Sequence, residues 1–318
     1  MDTYTLPSKK LWKGRTSTKQ LYLHEKVVLK DLDMLKESRY EQAMALLGYA
    51  CDKGVRTNRG RPGAEYGPDA IREQLAKMPN HLAPNAHLLD LGNIHCGHGT
   101  LALCQAHLAN AVQRLLQCNY RPLILGGGHD MAYGHLSGIK KYMGKERTLG
   151  IINFDAHFDL RDATSGPHSG TPFEQYALDC AAEGTEFHYL ALGIRHDAND
   201  ASLFERASEL GAQYVQCGYF NMHFLEHVQL RLVQFMEDVD VIYTTIDLDG
   251  FSSAYAPGVS AASPMGFAPD IVLECMKLIL DSKKLISLDV AELNPKFDRD
   301  GQTAKLAASL VHYILHGL

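Results

Sequence analysis

The stretch "LGIINFDAHFDLR", residues 149–161, joins a continuous apolar run to a segment in which Asp155, His157, Asp159 and Arg161 occupy every second position. An apolar run of this length with no polar alternation reads as a strand buried on both faces, as in a parallel sheet. Side chains of extended chain alternate in direction, so Asp155, His157 and Asp159 project to one side while Ala156 and Phe158 project to the other. Ligand-type groups therefore leave the end of one buried strand together.

Reading outward, the same grammar repeats. "HLLDLGNI" (87–94), "RPLILGGG" (121–128), "FHYLALGIR" (187–195), "VDVIYTTIDLD" (239–249) and "KLISLDVAEL" (284–293) read as strands. Between and after them, "LALCQAHLANAVQRLLQC" (101–118), "PFEQYALDCAAE" (172–183), "SLFERASEL" (202–210), "DIVLECMKLILDS" (270–282) and "TAKLAASLVHYILHGL" (303–318) read as helices. Apolar strands alternating with amphipathic helices imply parallel strands joined by helical crossovers, and one doubly wound α/β domain accounts for the whole pattern. Near the start, "KDLDMLKESRYEQAMALLGYA" (30–50) places Leu32, Leu35, Ala43, Leu46 and Leu47 at spacings that suggest an amphipathic helix, interrupted by polar residues around Glu37 to Gln42. Residues 1–45 are thus expected to be an N-terminal arm and helix belonging to the same unit as a main domain over 46–318.

Each polar cluster follows one of these strands: "GGGHD" after "PLIL", "DAHFD" after "LGIINF", "DLDGF" after "VIYTTI" and "AELNP" after "LISLDV". In open α/β sheets ligands bind at the carboxyl ends of the strands. A lone D-x-D is most often a turn or helix cap. Three clusters at equivalent places change that reading, because Asp155, Asp159, Asp247 and Asp249 gathered at one sheet edge would repel one another and raise their own pKa values. Together with His129 and His157 they give an oxygen-rich donor set whose four negative charges match two divalent cations. No thiolate lies in these motifs, and such a set suits Mn²⁺ better than structural zinc. A water shared by two such cations would be strongly acidified and supply hydroxide near neutral pH. Gly126, Gly127 and Gly128 let the chain turn beside the cations; the segment lacks the Lys-Ser/Thr of a phosphate-binding loop.

Composition sets the class. Of 318 residues, 46% are hydrophobic and 21% charged, as in a globular enzyme, and the net charge of −6 with no long basic block disfavours nucleic acid or an anionic membrane as partner. The first residues contain no apolar signal core and no stretch approaches the length of a membrane span, so the expected location is cytoplasmic. The seven cysteines are scattered, odd in number and without a C-x-x-C pair, so no disulfide framework is expected and most should be reduced thiols.

"GGGHD", "NFDAHFDLR" and "TIDLDGF" resemble the three metal motifs of the arginase/agmatinase/formimidoylglutamase superfamily, the ureohydrolases, and "LDVAELNP" resembles its fourth motif. The resemblance runs from about residue 48 to the C-terminus. Within the superfamily, "GVRTNRGRPGAEYGPDAIRE" (54–73), "DAHFDLR" and "SGTPFEQ" look like the formimidoylglutamase branch. The resemblance implies an arginase-like three-layer sandwich with a central, mostly parallel sheet flanked by helices. It further implies two Mn²⁺ ions held by His129, Asp155, His157, Asp159, Asp247 and Asp249, and a homo-oligomer. One departure concerns the histidine that arginases and agmatinases carry just before a glycine: Ser169 stands there and His168 one place earlier, so that proton-shuttle role does not transfer. His168 could still reach the site, or could face solvent.

The implied activity is hydrolysis of N-formimidoyl-L-glutamate to L-glutamate and formamide, a reaction of histidine degradation, by a metal-bridging hydroxide attacking the formimidoyl carbon. Asp159 would relay a proton to the leaving amine and Glu292 would pair with the cationic amidinium. Arg161 stands where arginases have an asparagine and could grip a substrate carboxylate bidentately. Arg61 and Asn58, in the Gly-rich "NRGRPG" loop, could also contact a carboxylate, or could simply belong to a glycine-stabilised turn. Two rival readings are a guanidine hydrolase of the arginase, agmatinase or guanidinobutyrase kind on the same metals, and an inactive member that only binds a ligand.

Overall fold

The structure is a computed structural model that describes residues 3–318. The apolar run before Asp155 is strand β6 (Leu149–Phe154). Upstream of it lie β1 (Tyr4–Thr5), β2 (Val28–Leu29), β3 (Ala43–Ala50), β4 (His87–His95) and β5 (Arg121–Leu125). Downstream lie β7 (His188–Ile194), β8 (Gln213–Gln216), β9 (Val241–Asp247) and β10 (Leu285–Ala291). They form one sheet in the order β1-β4-β3-β5-β10-β9-β6-β7-β8, with β2 also on β4. Of the pairings between these strands only β1–β4 is antiparallel.

The helices are α1 (Leu23–Lys26), α2 (Lys53–Thr57), α3 (Gly67–Leu75), α4 (Leu101–Gln117), α5 (Met131–Met143), α6 (Pro172–Glu183), α7 (Ala201–Glu209), α8 (Leu225–Glu237), α9 (Pro269–Asp281) and α10 (Gln302–Gly317). They divide between the two sheet faces because strand side chains alternate. Ile152 and Phe154 of β6 and Ile242 and Ile246 of β9 enter a core with α3, α8, α9 and α10; Ile151 and Tyr243 enter the opposite core with α4, α5, α6 and α7. The result is the expected three-layer α/β sandwich. No helix among the described residues is long and apolar enough to cross a membrane.

The helix expected over residues 30–50 is absent. Residues 32–34 form a short 3-10 turn and Ala43–Ala50 is strand β3, buried along its whole length between β4 and β5. "AMALLGYA" is rich in good helix formers, but as an inner strand it is covered on both faces, so tertiary burial overrides local propensity. Gly48 fits there for lack of space, since a Cβ would overlap the Asn93 side chain. Upstream, β1 and β2 extend the sheet by pairing with β4.

A buried ion pair ties this side together. Arg72 of α3, 1% exposed, donates to Asp90 of β4, 0% exposed, with 2.8 Å between Nη2 and Oδ1, and to Asn93 Oδ1 at 2.6 Å. Trp12 Nε1 reaches the other Asp90 oxygen at 2.7 Å. Removing one partner of a desolvated pair leaves an uncompensated charge. Arg72→Ala should therefore lower the unfolding free energy by about 3–5 kcal/mol in a denaturant titration, and a change near zero would show that the pair is not a keystone of this face.

Candidate metal centre

The sheet order places β5, β10, β9 and β6 side by side at its centre, and all four end in the polar clusters. Their parallel direction brings the clusters to one edge. His129 Nδ1 lies 2.9 Å from Asp159 Oδ2, 3.0 Å from Asp247 Oδ2 and 3.3 Å from Asp155 Oδ2. His157 Nδ1 lies 3.3 Å from both Asp155 Oδ1 and Asp249 Oδ1. Two donor groups result, His129 with Asp155, Asp159 and Asp247, and Asp155 with His157 and Asp249, and Asp155 belongs to both.

The donor set passes the test for two cations. His129 Nδ1 and Asp249 Oδ1 are buried with no hydrogen-bond partner, whereas buried polar atoms are almost always paired. Burial, and then Asp249 and Asp155, push the Asp247 carboxyl well above the usual range; burial and the Asp155 charge raise that of Asp159. Burial opposes charging His129, but the Asp247 charge and the close approach of the Asp155, Asp159 and Asp247 carboxylates outweigh it and raise its pKa well above normal.

Neighbouring elements orient the ligands. Asn153 Nδ2 donates to Asp155 Oδ2 at 3.1 Å, and Asp249 N donates to Asp247 Oδ1 at 2.8 Å. Glu292 Oε1 accepts from His129 N at 2.9 Å, while Oε2 is buried and unpartnered beside the cluster. Burial and the Asp247 and Asp249 charges raise the Glu292 pKa. Asp159 and Glu292 both have positive φ, 50° and 68°, a conformation unfavourable for residues with a Cβ and concentrated at functional sites. Gly126–Gly128 serve close approach rather than an unusual φ: a Cβ on Gly127 would overlap the Cys51 carbonyl, and one on Gly126 would crowd Met131.

A cleft of about 260 Å³ opens over the cluster, lined among others by Asn58, Arg59, Arg61, Arg161, Ser169 and Glu292. Asn58 Nδ2 donates to Ser169 Oγ at 3.0 Å, closing one wall. The Arg61 side chain is engaged, with Nε 2.9 Å from Ser260 O, Nη2 2.5 Å from Val259 O and its guanidinium stacked 3.9 Å over Phe297. These contacts tie Arg61 to the facing loop, and the residue also lines the cleft. Arg161 makes no ion pair among the described residues, and Gly170 leaves room for its side chain, with an added Cβ 3.0 Å from Arg161 Cδ. Neighbouring Asp162 is engaged with Thr164 instead. His168 does not line the cleft; its Nδ1 accepts from Gly170 N at 3.1 Å. Sequence reasoning missed Arg59, which lines the cleft and has a φ of 62°; its position between Asn58 and Gly60 was the available signal.

Most of the cysteines are free thiols as expected, with one pair the exception. Cys51 and Cys96 form a disulfide with a Cα–Cα separation of 5.7 Å, and Cys104 lies beside it. The pairing follows from the sheet, since β3 and β4 are parallel in the register Ala50↔His95 and the next residue of each strand is cysteine. The five other cysteines are free. Cys51 O also accepts from Gly128 N at 2.9 Å, which braces the loop bearing His129.

Comparison with known proteins agrees with this geometry. Residues 42–317 match the Arginase family, and the chain belongs to that family. It is similar to formimidoylglutamases from a Geobacillus strain, at 40% identity covering 98% of this chain and 97% of the relative. A formimidoylglutamase from Aeromonas salmonicida is also 40% identical, covering 99% of each. Among solved structures, Bacillus subtilis formimidoylglutamase superposes with a TM-score of 0.83 at 25% identity, covering 95% of this chain and 93% of that one. The site is a binuclear Mn²⁺ centre.

Because the raised pKa values favour protons on these groups in the metal-free centre, Mn²⁺ must compete with protons, and affinity should rise with pH. Calorimetric titration of metal-free protein in buffers of different ionisation enthalpy is expected to show proton release on binding, with affinity lower at about pH 6 than at about pH 8. Affinity independent of pH would contradict the protonated metal-free centre.

Proposed function

We propose that the protein hydrolyses N-formimidoyl-L-glutamate to L-glutamate and formamide. The observation that carries this reading is Arg161, an unengaged guanidinium at the mouth of a carboxylate-lined metal cleft. A substrate bearing a cationic amidinium at one end and carboxylates at the other matches that polarity. When bound, the two cations supply an acidified water as the nucleophile near neutral pH. His129, Asp155, His157, Asp159, Asp247 and Asp249 would hold them.

The chain's own groups do the rest. Glu292 presents its free Oε2 toward the cleft and pairs with the amidinium, which holds the formimidoyl carbon in place and maintains its charged, more electrophilic form. Asp159 moves a proton to the departing amine of glutamate. Arg161 holds a carboxylate with two parallel hydrogen bonds. Asn58 and Ser169, already bonded to each other, form the polar wall against which the amino-acid end rests. Arg61 keeps the opposite loop in place rather than touching substrate.

Hydrolysis of formimidoylglutamate, arginine, agmatine and guanidinobutyrate by the Mn²⁺-loaded protein separates the readings. Formamide and glutamate from the first substrate alone are expected; urea from any other would move the protein to the guanidine hydrolases. Glu292→Gln should lower kcat/KM by about 100- to 1000-fold, as loss of a charge-stabilising group at the reacting centre does. Arg161→Asn should act mainly on KM, and an unchanged KM would remove Arg161 from substrate binding.

A further inference from the structure

Behind the centre runs a chain of buried polar groups that none of the reactions above uses. His129 Nε2 lies 2.9 Å from Thr245 Oγ1, and the Thr245 hydroxyl donates to Asp289 Oδ1 at 2.5 Å. Asp289 Oδ2 takes the Tyr243 hydroxyl at 2.5 Å and faces His135 Nδ1 at 2.6 Å. His135 Nε2 lies 2.5 Å from Ser287 Oγ, which donates to Pro122 O at 2.9 Å. Thr245, Asp289, His135, Tyr243 and Ser287 are all at most 1% exposed. They come from β9, β10 and α5, three elements fixed by the sheet and its crossover.

Counting hydrogens gives this chain a direction. Thr245 has one hydroxyl hydrogen, and Asp289 receives it. The Thr245 oxygen must then accept from His129, so Nε2 carries the hydrogen and Nδ1, on the side of Asp155, Asp159 and Asp247, is the nitrogen left to ligate a metal. At the far end, Ser287 gives its hydrogen to Pro122 and so accepts from His135 Nε2. Carboxylate-backed hydrogen bonds of this kind select the ligating tautomer, fix the ring and raise its basicity. His157 lacks such backing: its Nδ1 faces Asp155 and Asp249, and its side chain is 24% exposed.

We infer that Thr245, backed by Asp289 and His135, is a positioning residue that holds His129 in the metal-ligating tautomer and so sets Mn²⁺ affinity. The inference rests on the metal-centre reading and is independent of which substrate the enzyme takes. It is tested by Mn²⁺ titration of metal-free wild type, Thr245→Val, Thr245→Ser and Thr244→Val, with no substrate present. Thr244 is the adjacent buried threonine, and its hydroxyl has no partner among the described residues, so it reports any general cost of altering the strand.

Thr245→Val should weaken Mn²⁺ binding by about 10- to 100-fold in at least one step, the range found when such supporting contacts are lost. Thr245→Ser should restore wild-type binding and Thr244→Val should leave it unchanged. Should the valine variant fail to fold by circular dichroism, Thr245→Ala replaces it in the same comparison. Wild-type affinity in the Thr245 variant, an equal loss in Thr244→Val, or no rescue by serine would each overturn the inference. Because no substrate is involved, any of these would leave the proposed hydrolysis standing, while failure of the substrate panel would leave this result standing.

Discussion

Mutual repulsion among Asp155, Asp159, Asp247 and Asp249 is the constraint around which the structure is arranged. Buried carboxylates a few ångströms apart cannot all ionise unless cations stand between them. Their shared edge exists because β6 and β9 are parallel neighbours in the register Phe154↔Ile246, with β10 and β5 next in line. An antiparallel neighbour at any of these places would have sent its cluster to the opposite edge. The parallel crossover architecture is thus a means of converging four strand ends, which the two apolar cores hold in place.

Around this centre the protein separates guanidinium groups by whether they are engaged. Arg72 is sealed against Asp90, and Arg61 is tied to the Val259 and Ser260 carbonyls. Arg206 is held by both oxygens of Glu174. Arg161 has no such partner among the described residues. An arginine left open beside a cluster of acids is an unusual allocation of charge, and it gives the cleft two poles: negative at depth, positive at the rim. The same polarity orients a zwitterionic ligand before any short-range contact forms.

Much of this could be read from residue order, and what could not has identifiable physical causes. The strands that carry the ligands are apolar runs bounded by glycine or acid, so their type and direction were legible, and with them the convergence of His129, Asp155, His157, Asp159, Asp247 and Asp249. Strand β3 was not, because "AMALLGYA" has the composition of a helix and only its two neighbours make it a strand. The Cys51–Cys96 bond depends on the same missed pairing, since no spacing within the chain indicates it. Arg61 and Arg59 could not be ranked from the sequence, because their difference lies in which carbonyls a folded loop places nearby. Thr245 and Asp289 carried no signal at all; a threonine in an inner strand is ordinary until its hydroxyl is traced.

The left-handed backbone at Asp159 and Glu292 has an evolutionary consequence. At such positions glycine, and after it asparagine, relaxes the main chain, so local stability and the presence of a carboxylate select in opposite directions. A population screened for heat resistance alone would drift at these two sites toward residues that fold more easily. Lineages retaining Asp and Glu there would record continued selection for turnover, which makes these positions a marker of whether a descendant of this chain is still an enzyme.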